Sequence, residues 1–425
     1  MEHVNSYYVA TVNPHSSWPP LQDAILCDVC IIGAGFAGLS AALHLTEAGY
    51  DVVVLEAAKV GFGASGRSGG QMVNSYSRDV DVIEQRYGQE SARLLGSMMF
   101  EGAGVIRDRI DRYAIACDYR PGGIFAAQNK RQLNALRAQR KRWQQFGNSE
   151  LEMLSETGIR REIASERYKG GLLDHRGGHL HPLNLALGEA EAIRRHGGRI
   201  YEQSEVISVT YGIPHVIKTA RGSVTAKIVI FAGNAYLAPH LEPRLTGNSI
   251  PCSSHIVTTE PLSADRALSL LPNNRCVEDV NYLPDYFRLT ADNRLLYGGG
   301  VVYGAREPGD VASILRPKLL KTFPQLAGVN IDYAWSGNFL LTLSRLPQIG
   351  RLDNSVFYMQ GDSGHGVTLT HLAGKLVREA IGGRPQRFDA FARLPHLPFP
   401  GGRRLRVPLT AIGAAWYSLR DRLGV

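Results

Sequence analysis

Residues 28–56 read DVCIIGAGFAGLSAALHLTEAGYDVVVLE. Val29 to Ile32 is a short apolar run, as a strand buried on both faces must be. Gly33-Ala34-Gly35-Phe36-Ala37-Gly38 follows as G-x-G-x-x-G. From Leu39 to Ala48 the apolar Leu39, Ala42, Leu43 and Leu45 share a helical face, and Gly49 suits the end of that helix. Val52 to Leu55 is a second buried strand, closed by Glu56 and Ala57. The glycine pattern means little alone in a chain with 46 glycines; between a strand and a helix it acquires a physical reading. Gly33 permits the tight turn, Gly35 lets a pyrophosphate approach the backbone, and Gly38 lets the helix lie close on the strand. The helix N-terminus presents unpaired N–H groups and partial positive charge, and Glu56 can accept ribose hydroxyls.

Three more glycine-rich turns lie further along: residues 61–71 (GFGASGRSGGQ), 228–234 (IVIFAGN) and 361–366 (GDSGHG). Four such turns suit a cofactor longer than NAD, threaded through a discontinuous domain. Residues 130–147 predict an exposed helix with Leu133, Leu136 and Trp143 inward, and 183–195 and 366–381 predict two more. Strands are predicted over 199–209 and 227–231. Residues 250–305 alternate and are rich in Tyr, as an antiparallel sheet would be. The expected organisation is a polar N-terminal arm lying on the surface (1–25), a dinucleotide-binding domain (26–95, 150–240 and 335–385), a substrate domain (96–149 and 241–334) and a basic C-terminal tail (386–425).

The four turns together resemble the D-amino-acid-oxidase-like family of FAD enzymes over nearly the whole chain. That resemblance implies an α/β, two-domain fold: a Rossmann-like FAD-binding domain of the glutathione-reductase/D-amino-acid-oxidase type, with a mainly antiparallel-sheet substrate domain. It places FAD against Gly33 to Gly38, Glu56 and Ala57. Val206 would meet the adenine side through its backbone. Gly63, Ser65, Arg67, Ser68, Gly69, Gly70 and Gln71 would run along pyrophosphate and flavin. Ala232, Gly233, Gly361, Ser363, Gly364, His365, Gly366, Val367 and Thr368 complete the set. Ser68 departs from the family, where Asn is usual; both side chains hydrogen-bond. Tethered relatives use a His in the second loop or a Cys shortly before the last one. This chain has no His between residues 45 and 174 and no Cys after Cys276, so non-covalent FAD is expected. A closer likeness within the family is carried by NSYYVAT (5–11), residues 61–88, DHRGGHLHPLNLALGEA (174–190), RLLYGGGVVYGAR (294–306), SRLPQIGRL (344–352) and GDSGHGVTLTHLAGKL (361–376). It implies oxidation of a primary amine whose far end carries a γ-glutamyl group, giving aldehyde, ammonia and, with dioxygen as acceptor, hydrogen peroxide.

Amine oxidation asks the protein to bind neutral amine near the flavin and to stabilise charge on the reduced ring. A helix starting at Gly366 can do the second through its dipole. His365, at that turn, is the candidate catalytic residue, holding the flavin or helping to activate dioxygen. Substrate contacts are expected from the Tyr-rich sheet. Tyr286 and Arg288 are two apart and share a face, and Arg288 is a candidate bidentate clamp for a carboxylate. Tyr282, Tyr303 and His255 are further candidates. A dehydrogenase passing electrons to a quinone or carrier remains open, as does, more remotely, an RNA-modifying flavoprotein suggested by the net charge of +8.

No Lys/Arg run is flanked by stacking aromatics, so the charge reads as a basic surface and no nucleic-acid partner is expected. Five scattered cysteines imply no disulfide framework. The first residues lack a signal-peptide pattern and no run reaches the ~18 apolar residues of a membrane span, so a cytoplasmic location is expected. Cys27 and Cys30 form C-x-x-C on a strand, where i and i+3 face apart. His175, His179 and His181 cluster near Asp174, but flavin chemistry needs no metal, and none is expected. Leu405, Leu409, Ile412 and Trp416 recur at helical spacing in the tail and are expected to pack on the protein; contact with a membrane surface is the alternative.

Overall fold

The structure, a computed structural model, describes residues 1–305 and 308–423. Arg306, which ends the 294–306 stretch, and the last two residues of the C-terminal tail lie outside them. The chain opens with a short helix, α1 (Tyr7–Ala10), and then forms the expected unit: β1 (Ala24–Ile32), α2 (Phe36–Glu47) and β2 (Val52–Leu55). Next come β3 (Gln71–Met72), α3 (Val80–Met98), α4 (Glu101–Tyr113), β4 (Arg120–Ala127), α5 (Lys130–Gln145), β5 (Leu151–Leu154), α6 (Glu156–Glu162), β6 (Gly170–His179) and α7 (Pro182–Arg195). The middle holds β7 (Arg199–Tyr201), β8 (Val206–Thr210), β9 (His215–Thr219), β10 (Ser223–Phe231), β11 (Ser249–Thr259), α8 (Ala264–Leu270), β12 (Cys276–Asp279), β13 (Tyr286–Leu289) and β14 (Leu295–Tyr303). The chain ends with α9 (Val311–Thr322), β15 (Ile331–Thr342), β16 (Gln348–Arg351), β17 (Val356–Gln360), α10 (Gly366–Ile381), α11 (Gln386–Ala392) and α12 (Gly402–Leu423).

Two sheets organise these elements. The first runs β16-β17-β10-β1-β2-β7, with β9 and β8 added at β10. Its centre, β17-β10-β1-β2-β7, is parallel. Val29, Cys30 and Ile31 of β1 are wholly buried, which is why that strand reads as an uninterrupted apolar run. The second sheet runs β15-β11-β14-β13-β12-β4-β6-β3, with β5 on β6, and is antiparallel except where β12 meets β4. Helix α10 packs on α2 and α4, and α2 on α7. A Cβ at Gly374 of α10 would lie 2.5 Å from Ala41 N of α2, so glycine is what lets these helices touch.

A buried ionic cluster ties the helices together. Arg109 Nη1 of α4 donates to Glu189 Oε1 of α7 at 2.7 Å, and His371 Nε2 of α10 lies 2.9 Å from the same oxygen. Arg109 Nη2 also donates to Ser40 O of α2. Burial alone would raise the Glu189 pKa; His371 and Arg109 override it and hold the carboxyl at about 2.

Several expectations are corrected. The N-terminal arm is not superficial: Tyr7 and Tyr8 are buried, and Tyr8 OH donates to Ser68 O inside the second glycine-rich turn. Strands β5 and β6, expected in the dinucleotide-binding part, belong to the second sheet. So does β15, which pairs with β11 along its length. Helix α4, expected with the substrate domain, packs on α10 and α7 instead. The predicted 199–209 strand is broken between β7 and β8. In the tail, α11 buries Phe388 and Phe391, whereas Leu405, Leu409, Ile412 and Trp416 of α12 are 55%, 44%, 67% and 61% exposed instead of packed. No helix among the described residues is long and apolar enough to cross a membrane.

Candidate active site

A cleft of about 1620 Å3, open at its mouth, lies beyond the C-terminal ends of β1, β2 and β10, where parallel sheets collect ligands. Its floor is glycine and backbone. Gly33, at φ +111°, makes the turn. Ala34 N donates to Glu56 Oε2 at 2.8 Å, and Ala58 N to Oε1 at 2.9 Å, so Glu56 buckles the first turn to the end of β2. Burial raises the Glu56 pKa, and those two N–H groups oppose it. A Cβ at Gly35 would sit 2.9 Å from Ser65 Oγ, which accepts from Phe36 N and so joins the first turn to the second. The third and fourth turns are joined by Asn234. Its Nδ2 donates to Asp362 Oδ2 at 2.8 Å, and its Oδ1 accepts from Gly361 N at 3.1 Å. The N-termini of α2 and α10 both face the cleft through Gly35 and Phe36, and through Gly366 and Val367. A long, backbone-floored cleft with two helix N-termini fits a dinucleotide carrying both a pyrophosphate and a ring that gains negative charge.

Most of the residues singled out from sequence line this cleft. They are Gly33, Gly35, Phe36, Ala37, Glu56, Ala57, Gly63, Ser65, Arg67 to Gln71, Val206, Ala232, Gly233, Gly364, Gly366 and Val367. Others do not. Ala34 is buried, its N–H donating to Glu56 and its carbonyl accepting from Gly61 N at 2.9 Å. Gly38 is a packing residue: a Cβ there would meet Gly33 O at 1.9 Å. Gly361 turns beside Thr342, and Thr368 Oγ1 donates to Val73 O. Ser363 and His365 face a second cavity.

That second cavity, about 1440 Å3 with its open mouth, meets the cleft across Ser254, Glu278, Tyr286 and Phe339, which line both. The ring of Tyr286 is wedged where a Cβ on Gly69 would be 2.8 Å away, and its hydroxyl lies 3.3 Å from Ser254 Oγ. Tyr282 and Tyr303 also line the second cavity. His365 Nδ1 lies 3.0 Å from Ser75 Oγ and its Nε2 3.4 Å from Glu278 Oε1. Burial lowers its pKa, but Glu278, Ser75 O and Asp362 outweigh that, and the net shift is upward.

Two substrate candidates are corrected. Arg288 reaches neither cavity. Its Nε donates to Gly69 O, Nη1 to Leu289 O, and Nη2 to Tyr8 OH and Leu180 O, which spends the guanidinium on holding the second turn. His255 is buried against Ser336 Oγ at 2.9 Å, and lines neither cavity. The expected His cluster is dispersed: His181 Nδ1 caps α7 through Asn184 N, His179 meets Asn274 O, and His175 is exposed beside Glu152. Cys27 and Cys30 are free and buried. Sequence reasoning passed over Glu278, Phe339, Arg78 and Arg345. Only Glu278 carried a signal, as an acid inside an otherwise buried strand.

A family model described as FAD dependent oxidoreductase matches residues 28–380. The chain belongs to that FAD-dependent oxidoreductase family. It is 65% identical over 424 residues to the gamma-glutamylputrescine oxidoreductase of Escherichia coli (strain K12), covering all of both chains. It is 41% identical to a probable oxidoreductase, OrdL, of Haemophilus influenzae, covering 99% of this chain and 98% of that one. Glycine oxidase from Geobacillus kaustophilus superposes with a TM-score of 0.72 at 21% identity, over 88% of this chain and 99% of that one. L-proline dehydrogenase from P. horikoshii superposes with a TM-score of 0.73 at 18% identity, over 88% and 96%. These two share the fold. The chain is thus an FAD-dependent enzyme with the two-domain α/β architecture expected from its glycine-rich turns.

Proposed function

We propose that the enzyme oxidises the primary amine of a γ-glutamylated diamine, with γ-glutamylputrescine as the type substrate, to an aldehyde. The balance is R–CH2–NH2 + O2 + H2O giving R–CHO, NH3 and H2O2. The full-length identity to a gamma-glutamylputrescine oxidoreductase supports the substrate. The observation that carries the reading is the junction of the second cavity with the cleft at Glu278 and Tyr286. FAD, when bound, supplies the hydride acceptor. Glu278 draws the substrate ammonium to the junction by charge, and the amine gives up its proton before the carbon gives up hydride. Tyr286 walls the junction with an apolar ring. His365, held by Ser75 and Glu278, has its protonated form favoured beside the fourth turn. Dioxygen is the proposed acceptor.

The test is peroxide and aldehyde release by purified holoenzyme on γ-glutamylputrescine, putrescine, sarcosine and a D-amino acid, compared as kcat/KM. The γ-glutamyl amine is expected to lead; equal turnover of putrescine or sarcosine removes the substrate claim. Anaerobic reduction followed by air separates the oxidase from a dehydrogenase: slow reoxidation by air removes dioxygen as acceptor.

A further inference from the structure

The second cavity holds a charge pattern that the reaction step leaves unexplained. Arg78 and Arg345 line it, and neither reaches the cofactor cleft. Elsewhere in the molecule enclosed arginines have their charge met or their N–H groups spent: Arg109 has Glu189, Arg167 has Asp279 and Asp285, Arg294 has Asp292 and Asp332, and Arg288 donates to three carbonyls and the Tyr8 hydroxyl. Among the described residues, no carboxylate pairs with Arg78 or Arg345. The Nε of Arg78 is buried with no hydrogen-bond partner. Arg345 Nη2 donates to Tyr282 OH at 2.8 Å, and its guanidinium lies 5.4 Å from the centre of that ring.

Two guanidinium groups facing one cavity without a counter-ion repel each other, and the repulsion is relieved when an anion enters between them. Burial and the Arg345 charge both lower the Arg78 pKa, in keeping with that repulsion. The wall beside them comes from the end of the chain. Tyr417 of α12 stacks on Tyr282, with ring centres 4.5 Å apart and planes at 16°. The stack fixes the ring that in turn orients Arg345. Where the same cavity meets the cleft stands the acid Glu278, while Asp279, which also lines the cavity, is spent on Arg167 and Gln128.

We infer that Arg78 and Arg345, walled by the Tyr282–Tyr417 stack, form a carboxylate-binding subsite that selects amines bearing a carboxylate remote from the reacting carbon. The inference rests on the proposed amine oxidation, and it gives the selectivity a structural source. A substrate with an ammonium at one end and a carboxylate at the other matches the cavity's polarity: acid toward the cleft, arginines away from it. A free diamine would place its second ammonium against two guanidinium groups, and that like-charge contact is the rejecting element.

The test uses the holoenzyme and two amines with the same reacting end, γ-glutamylputrescine and N-acetylputrescine, which lacks the carboxylate. The intact enzyme is expected to favour the first by ~10–100-fold in kcat/KM, the range of a charge-assisted hydrogen-bonded pair. Arg78→Gln and Arg345→Gln, made separately, should each collapse most of that ratio while keeping full flavin content. A ratio near one in the intact enzyme, or a ratio unmoved by both substitutions, overturns the subsite. A separate readout is the affinity for γ-glutamylmethylamide, the remote half of the substrate without the reacting amine, followed by the flavin absorption spectrum. Its binding should weaken ~10–100-fold in either variant. If neither amine is oxidised at all, the proposed reaction fails while this binding measurement still decides the subsite. Unchanged affinity in the variants rejects it.

Discussion

The cleft and the second cavity share four lining residues, yet they are made differently. The cleft is floored by Gly33, Gly35, the 61–71 turn, Ala232-Gly233 and the start of α10, where main chain and small residues prevail beside a few larger side chains such as Phe36, Phe62 and Arg67. The second cavity is walled by long side chains: Arg78, Tyr282, Tyr286, Tyr303, Phe339, Arg345 and, from the far end of the chain, Tyr417. Backbone sites recognise what is common to a cofactor's phosphates and sugars. Side-chain sites recognise what differs between one amine and another. The two should therefore respond to substitution in opposite ways, and that opposition can be broken experimentally.

The largest effect on cofactor binding should follow Gly35→Val. Its Cβ alone would come within 2.9 Å of Ser65 Oγ, and its methyl groups would occupy the space a pyrophosphate needs. Flavin binding should fall at least ~100-fold, about 2.8 kcal/mol at 1.4 per decade, while the circular dichroism stays native. Variant protein purified with a full complement of flavin would show that the cleft is not the dinucleotide site. Among the described residues, no His or Cys lines the same cleft, so acid precipitation should leave all the yellow colour in the supernatant. A yellow pellet would mean a covalent bond.

The largest effect on stability should follow Glu189→Gln, which tests what keeps the cleft rigid. Breaking the buried Arg109–Glu189–His371 cluster leaves a guanidinium without its acid and should cost ~3–5 kcal/mol of stability. The Glu189 pKa is depressed to about 2 in the folded protein. Its contribution is therefore complete above the unfolded carboxylate value of ~4.3 and is lost as pH falls from there through about 2. Urea unfolding at pH 7 and pH 3 measures both statements; equal stability of variant and parent at pH 7 would deny the cluster a structural role. The contrast is Tyr303→Ala in the second cavity, expected to lower kcat/KM about 10-fold with flavin content unchanged. Flavin loss in Tyr303→Ala would erase the distinction between the two hollows.

That distinction also explains how far the sequence could be read. The 28–56 unit and the helix from Gly366 to Ile381 follow from local rules, periodicity and glycine spacing, which hold wherever the chain goes afterwards. The second cavity obeys no local rule. Arg78, Glu278, Arg345 and Tyr417 meet only because β12 pairs with β4 and α12 returns to β14. Arg288 shows the limit clearly. Its spacing from Tyr286 was right, and both point at Gly69, but the carbonyls of Gly69, Leu180 and Leu289 claim the guanidinium first. Strands β5 and β6 were assigned to the wrong sheet because strand pairing is a non-local choice. The arm at Tyr7-Tyr8 looked polar because its two tyrosines bury their rings while their hydroxyls find Asp292 and Ser68.

The smallest expected effect concerns His365, which lines the second cavity beside the shared acid Glu278. His365 sits between Ser75, Glu278 and Asp362, and its pKa is raised although burial works against it. A histidine raised in the folded state contributes stability that is fully present below its unfolded value of ~6.5 and is lost as pH rises through the folded value. Glu278 is the largest of the raising charges. With Glu278→Gln, burial is left opposed only by Asp362 and the Ser75 carbonyl, so the His365 titration should move down. The stability gap between parent and variant should be widest below pH 6.5 and should narrow as pH rises above it. Histidine-labelled NMR, with His365→Asn identifying the resonance, follows the titration directly, and urea midpoints across the same range follow the linkage. An unmoved midpoint in Glu278→Gln would mean that the upward shift of His365 is held by Asp362 and the Ser75 carbonyl alone. The acid at the junction would then act on the substrate's ammonium and not on the histidine.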